Sequence, residues 1–492
     1  MKQLSLNVDV AVIGAGTAGL AAYRAATSEG ARSVLIEGGP YGTTCARVGC
    51  MPSKLLIAAA EAAHHATHAE PFGVSVTEVE IDGRKVMKRV RDERDRFVGF
   101  VVRDTLALPD TDRLRGYARF EDQRTLVVTD AETRTETLVH ARAVVIATGS
   151  TPVVLPMFDG LGDRVIVNDD IFDWEDLPES AAVFGPGVIG LELGQALSRL
   201  GVRVRMFGVG GLIGPLTDPK IREEATKIMG REFPLDTDAK VHSLKRVGDQ
   251  VEIDFQWDGE RLQERFDYVL TATGRRPNLD RLALERTGVA VDGRGVPVYD
   301  PRTLQVLDSR LFLAGDVNNV RPLLHEASDE GRIAGTNAAR FPNCTYSALS
   351  DLKPNAPLQR RSHITVVFSD PQIAMVGSSW KELEALRDEG RVVVGEVSFE
   401  DQGRSRVMRV NQGLLRLYAD AGDGRLLGAE MIGPRAEHLA HLLSWAHQQK
   451  QSVIELLCMP FYHPVIEEGV RTALRDAAKQ LEARGGLQRR CA

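Results

Sequence analysis

The stretch Val8–Gly19, VDVAVIGAGTAG, decides the fold: an apolar, β-branched run meets glycines at 14, 16 and 19 and then an alanine-rich segment reaching Ser28. A second apolar run, Ser33–Glu37, follows. The pattern predicts strand, tight turn, helix and strand. Gly14, Gly16 and Gly19 let the backbone turn sharply and approach a pyrophosphate at a helix N-terminus, and Glu37 at the second strand's tip is placed to accept hydrogen bonds from ribose hydroxyls. With all four parts in place, a dinucleotide site is expected here.

The same unit recurs as strand Ala182–Phe184, turn Gly185–Gly190, predicted helix Leu191–Leu200 and strand Val202–Phe207, with Gly185, Gly187 and Gly190 as its glycines. Counting from the first glycine, Gly208 stands where Glu37 stands in the first unit. An acid there favours NAD and a nearby arginine favours the 2′-phosphate of NADP; neither stands there, and Arg203 and Arg205 read as solvated surface residues. A second dinucleotide is expected, with NAD and NADP both open. Two further strands, Ala143–Ala147 and Tyr268–Ala272, run into similar turns at Gly149 and Gly274 and are expected to close the two units. A charged helix is predicted over Lys85–Leu106, and a strand over Leu311–Ala314 leads into Gly315 and Asp316. The polar, proline-containing segment Asn343–Arg361 reads as a linker. Beyond it, alternating runs (Ile364–Phe368, Leu414–Tyr418) and helical ones (Glu437–His447, Val465–Leu481) predict an α+β domain.

Composition sets the outer limits. At 492 residues the chain exceeds the roughly 250–300 at which single cores stop growing, so several domains are expected. A net charge of −7 with dispersed basic residues gives no footprint for nucleic acid. Glycine, proline or polar residues interrupt every apolar stretch before the roughly 20 residues that a spanning helix needs, so no membrane segment is expected. From Met1 the chain reaches an apolar strand within about ten residues, which leaves no room for a leader and makes the cytoplasm the expected compartment.

Five cysteines do not make a disulfide scaffold, but Cys45 and Cys50 are close in sequence. In a regular helix their separation would rise about 7.5 Å, beyond the roughly 4.4–6.8 Å between the Cα atoms of a disulfide. Pairing therefore requires a distortion, which Gly49 could permit. Two free buried thiols or half a zinc site are the alternatives, the latter without a second ligand pair at suitable spacing; no metal is expected. Cys344 falls in the linker, Cys458 reads as a small buried hydrophobe and Cys491 is a lone thiol.

Segments in series carry a resemblance: the first glycine turn, GTTCARVGCMPSK (42–54), ATGS (147–150), GPGVIGLE (185–192), ATGRRPN (272–278), AGD (314–316), SDPQIA (369–374) and HPVIEE (463–468). In order and spacing the chain resembles the class I pyridine nucleotide-disulfide oxidoreductases nearly end to end, and within them the dihydrolipoamide dehydrogenases. The resemblance implies an α/β chain with two Rossmann-like dinucleotide-binding domains and a C-terminal α+β dimerisation domain: FAD-binding over 1–152 and 280–350, NAD(P)-binding over 153–279, and the dimer interface over 351–492.

It further implies that Cys45 exchanges with substrate while Cys50 faces the flavin in a charge-transfer pair. Lys54 would lie near flavin N5, paired with Glu192; Asp316 would meet the ribityl chain, the main chain at Ala118 the adenine, and Thr44 the flavin. Thr43 replaces the family's usual glycine. His463, oriented by Glu468, would be the base that makes a dithiol into a thiolate, acting from the opposite subunit of a homodimer with a shared active site. His325 and Glu326 match a helix packing near the flavin. The implied reaction oxidises a lipoyl domain's dihydrolipoamide, or a small dithiol, with NAD through the Cys45–Cys50 disulfide, and the partner complexes it implies are the 2-oxoacid dehydrogenase and glycine cleavage complexes. Two other readings are an NADPH-dependent reductase of another disulfide or a quinone, and a non-catalytic flavoprotein partner. Mercuric reductases carry adjacent cysteines at the C-terminus, where this chain has Cys491 alone.

Overall fold

β1 (Leu4–Ile13) lies between β2 (Ser33–Glu37) and the strand Glu136–Ile146, parallel to both. Ala11 and Ile13 enter one apolar layer with Val34, Ile36 and Val144, while Val10 and Val12 enter another with Leu35, Val145 and Phe312. A parallel strand covered on both faces needs an uninterrupted apolar run, which is why this segment does not alternate. The computed structural model describes residues 4–341 and 360–484, and the chain divides into two units.

The first unit comprises Met1–Leu55, Lys88–Val153 and Gly274–Arg360. Its main sheet runs Arg113–Arg115, β2, β1, Glu136–Ile146, Thr125–Thr129 and Tyr117–Phe120, with Leu311–Leu313 also paired to Glu136–Ile146. Helix α1 (Thr17–Ser28) packs on the helix Leu324–Arg340 with almost nothing between the backbones: a Cβ on Gly331 or Gly335 would overlap the carbonyl of Ala18 or Ala22. A short helix and a long one carry the cysteines. α2 (Thr44–Val48) ends at Gly49, whose φ of −128° and ψ of −116° are not helical, and α3 (Cys50–Thr67) restarts at the next residue.

The second unit comprises Leu56–Met87, Val154–Thr273 and Arg361–Ala492. It holds a five-stranded parallel sheet in the order Leu235–Asp236, Arg203–Phe207, Ser180–Phe184, Tyr268–Thr271, Val165–Ile166. A three-stranded antiparallel sheet, Lys240–Val247, Gln250–Trp257 and Glu260–Phe266, shares a core with it through Phe184, Phe207, Phe255 and Phe266. The C-terminal part is a five-stranded antiparallel sheet covered by the helices Ala436–Gln448 and Glu468–Ala483.

Several expected limits move. The helix of the second glycine unit spans Val188–Arg199, not Leu191–Leu200, because Gly187 is its N-cap and Gly190 already lies in its first turn. The last helix starts at Glu468, not Val465, whose carbonyl is held by the Gln402 side chain at 2.7 Å. The predicted linker lies outside the described residues except for Arg360 and Arg361. Among the described residues no helix is long and apolar enough to cross a membrane.

Candidate functional site

The two glycine turns are built alike. Gly14 and Gly185 have φ of 105° and 106°, which only glycine adopts without strain, and a Cβ on either would overlap the carbonyl of the closing strand, at Ala147 or Ala272. A Cβ on Gly19 or Gly190 would overlap the carbonyl of Gly14 or Gly185, so the third glycine lets the helix sit against the turn. Only Gly16 and Gly187, the N-caps, look onto open space. That space, at a helix N-terminus, is where a pyrophosphate would pass.

In the first unit the turn opens into a cavity of about 480 Å³ lined by Gly14, Glu37, Tyr117, Ala118, Thr148 and Asn278 among others. The Glu37 carboxylate accepts from the N–H groups of Ala15 and Gly39 at 2.7 and 2.6 Å. Thr148 presents a buried hydroxyl that has no hydrogen-bond partner among the described residues. Burying such a group unpaired costs roughly 1–3 kcal/mol, so a polar ligand is expected to meet it.

The break at Gly49 brings the two thiols together. Both are reduced thiols, Cys45 half-buried and Cys50 exposed, and they are hydrogen-bonded to one another. That bond, burial and the charge of Cys50 push the Cys45 thiol up, against the pull of Lys54 one helical turn past Cys50. The pair therefore holds one proton between its sulfurs when singly ionised. Thr44 is exposed at the start of α2; Thr43 caps that helix through Oγ1, which accepts from the N–H of Ala46 at 3.3 Å.

A polar network that the sequence reading did not single out surrounds Asp316. Gly149 accepts from the Asn278 N–H at 3.0 Å, and the segments following Gly149 and Gly274 pair as short antiparallel strands, Ser150–Pro152 with Arg275–Pro277. Arg275 donates to the Ser150 hydroxyl at 2.8 Å, and that hydroxyl donates to Asp316 at 3.0 Å. Behind the loop, buried Glu330 accepts from the Gly315 N–H and the Asn318 amide, each at 2.7 Å, and pairs with Arg360. Burial pushes the Glu330 carboxyl up, though Arg360, Gly315 and Asn318 oppose it. The available signal was two glutamates, 326 and 330, on the buried stripe of the helix Leu324–Arg340.

In the second unit, Gly208 follows the strand Arg203–Phe207, and a Cβ there would lie 2.8–2.9 Å from Pro186 and the Thr237 backbone. An acid at this position has no room. Arg205 is buried rather than solvated: its guanidinium lies 4.8 Å from the ring centres of Phe255 and Trp257 and pairs with Glu264 at 2.7 Å. Arg203 pairs with the same Glu264 at 3.1 Å. Both arginines are used against the antiparallel sheet. Glu192 is buried and accepts from the Phe368 N–H at 2.9 Å.

Toward the C-terminus of this unit, His463 Nδ1 lies 3.0 Å from Glu468 Oε2, the histidine 80 % and the glutamate 15 % exposed. Partial burial would raise the Glu468 carboxyl, but the Val465 N–H, His463 and Arg471 outweigh it and hold it below its usual range. The carboxylate thus stays ionised to orient the imidazole. Cys458, expected as a buried hydrophobe, is exposed and disulfide-bonded. It follows a helix only five residues long, Val453–Leu457, which does not cover it. Cys344 and Cys491 lie outside the described residues.

Residues 8–331 match the pyridine nucleotide-disulphide oxidoreductase family model and residues 364–474 that family's dimerisation domain. The chain is 30% identical to a dihydrolipoyl dehydrogenase of Geobacillus stearothermophilus over 94% of its own length and 95% of the relative's. It is 32% identical to a mercuric reductase of Shigella flexneri, over 96% and 81% of the two. The HOCl-induced flavoprotein disulfide reductase RclA from Escherichia coli shares the fold, with a TM-score of 0.77 at 23% identity over 96% of this chain and 99% of that one. The chain belongs to the class I pyridine nucleotide-disulfide oxidoreductases, enzymes that use FAD and NAD(P). The residues present fit both groups: the open space at Gly16 and Gly187 admits a dinucleotide pyrophosphate, and the unpaired Thr148 hydroxyl faces the first cavity. The dimerisation domain supports a homodimer.

Proposed function

We propose that the chain oxidises dihydrolipoamide, carried on a lipoyl domain or as a small dithiol, to lipoamide, and passes the electrons to NAD. The observation that carries this reading is the meeting of the Cys45 and Cys50 thiols across the break at Gly49. In the oxidised enzyme these sulfurs form a disulfide. His463 of the opposite subunit, its tautomer set by Glu468, takes a proton from the substrate dithiol, and the thiolate attacks Cys45, the substrate-side sulfur. The second substrate sulfur displaces Cys45, so the substrate leaves as a cyclic disulfide and both cysteines are reduced: two electrons and two protons move. FAD, when bound, supplies hydride exchange between this dithiol and the nicotinamide. Gly14, Gly16, Gly19, Glu37 and Ala118 would hold its ADP moiety, while Gly149, Asp316, Thr44 and Lys54 would face its flavin half. Gly185, Gly187, Gly190 and Gly274 would take the nicotinamide coenzyme, with Glu192 as the partner of Lys54. The proposed domain limits are 1–152 and 280–350 for FAD, 153–279 for NAD and 351–492 for the dimer interface.

One observation favours a second reading, an NADPH-dependent reductase of another disulfide: Gly208 leaves no room for the acid that selects NAD. Anaerobic titration of the FAD-loaded protein with dihydrolipoamide tests the proposal. Long-wavelength absorbance should rise and then be discharged by NAD. If dihydrolipoamide does nothing and only NADPH reduces the protein, the second reading replaces the first.

A further inference from the structure

The helix that begins at Cys50 carries a histidine pair at its other end that the redox chemistry does not use. His64 and His68 are four residues apart on α3 and its final turn, where the His68 N–H still donates to the His64 carbonyl at 3.1 Å. This spacing puts both side chains on one face. Their rings stack, with centres 3.9 Å apart and planes inclined by 27°. His68 Nδ1 lies 2.9 Å from the His64 carbonyl oxygen. A carbonyl can only accept, so Nδ1 carries the proton and Nε2 keeps its lone pair, the tautomer of a metal-ligating imidazole whose other nitrogen is anchored to the backbone. The ring nitrogens of His64 make no hydrogen bond among the described residues.

Burial pushes the His64 imidazole down to about 4, and the charges around it are mixed. Arg199, Glu232 and Asp370 all act on His64, and Arg199 pairs with Glu232 at 2.7 Å and with Asp370 at 3.0 Å. Of this group the guanidinium opposes a cation at His64 and the two carboxylates favour one. Its carboxylates are engaged by Arg199, and among the described residues no set of three His, Cys, Asp or Glu side chains converges on one point. Two imidazoles would therefore be the protein ligands, with water completing the shell.

We propose that His64 and His68 form a surface site for a divalent cation that prefers imidazole, of the Zn(II), Ni(II) and Cu(II) kind. The site is separate from the thiols and independent of which dithiol the enzyme oxidises. The rings need only open from their stack to direct both lone pairs at one ion, as paired histidines four apart on a helix do in other metal sites.

The test uses the full FAD-loaded chain carrying Cys45→Ser and Cys50→Ser, which removes the thiols as competing ligands. Titrated with Cu(II) at neutral pH, it should take up one equivalent whose electron paramagnetic resonance spectrum shows splitting from two imidazole nitrogens. Losing an outer-shell partner weakens metal sites by roughly 10–100-fold, so loss of a ligand by His64→Gln or His68→Gln should weaken uptake at least about tenfold. His65→Gln, on the neighbouring exposed position, should leave uptake unchanged. Flavin content reports on folding, and exposed His68 is the variant least able to disturb it. Absence of stoichiometric uptake, or uptake indifferent to both His64→Gln and His68→Gln, overturns the proposal.

Discussion

Thr43 sits at φ 57° and ψ 150°, a region that is essentially the preserve of glycine and costs other residues about 1–3 kcal/mol. Thr43→Gly relieves that strain, gives up a cap that glycine replaces at a cost of a few tenths, and adds about 1 kcal/mol of unfolded-chain entropy. The net expectation from the middle of these ranges is a gain of somewhat under about 1 kcal/mol, read from thermal unfolding of the FAD-loaded protein, with dithiol turnover retained. A loss of stability would mean that the cap to Ala46 outweighs the strain. At this scale the close spacing of Cys45 and Cys50 was legible in the sequence, including the need for a distortion at Gly49, whereas His463 came only through the family resemblance. The neighbours that support Asp316 were not: Ser150, Arg275, Glu330 and Arg360 come from four distant segments, and no local pattern links them.

The two glycine turns allow the roles of their members to be separated by element. Gly187→Ala places a methyl in space that is open in the protein alone. It should leave folding and flavin content intact while blocking the coenzyme, so that dihydrolipoamide still reduces the protein but NAD no longer reoxidises it. Gly190→Ala drives a methyl into the Gly185 carbonyl and forces the helix Val188–Arg199 off its turn, at about 1–3 kcal/mol. Its mark should be a lower unfolding temperature as well as lost coenzyme binding. If the two variants behave alike, the division of roles is wrong. The strand Arg203–Phe207 shows why an element can mislead: Arg205 looks solvent-bound in sequence, and only the sheet Lys240–Phe266 turns it into a buried partner of Phe255, Trp257 and Glu264. That sheet went unread because its outer strands alternate charged and half-buried residues over a shallow core.

For the assembled molecule, the proposed function places each reaction centre across two subunits, and His463, 80 % exposed in the single chain, is free to serve another copy. Cys45→Ser chains and His463→Ala chains should each be inactive as homodimers. Unfolded and refolded together in equal amounts, they should recover about one quarter of normal dithiol oxidation: half of the dimers are mixed, and each mixed dimer has one intact centre of two. No recovery, with mixed dimers demonstrated by tagged chains, would return His463 to its own subunit. The sequence by itself determined the fold class and both dinucleotide turns, because backbone geometry at Gly14, Gly19, Gly185 and Gly190 admits only glycine and buried parallel strands admit only apolar runs. It also drew attention to the closely spaced thiols, while the histidine and its acid entered only through the resemblance to the family. Only the tertiary structure decided that Gly208 leaves no room for an acid, that Arg205 is packed away from solvent, and that Glu330 supports the Asp316 loop. Each of these depends on a neighbour tens or hundreds of residues away, and burial and pairing are properties of such neighbours rather than of the residue itself.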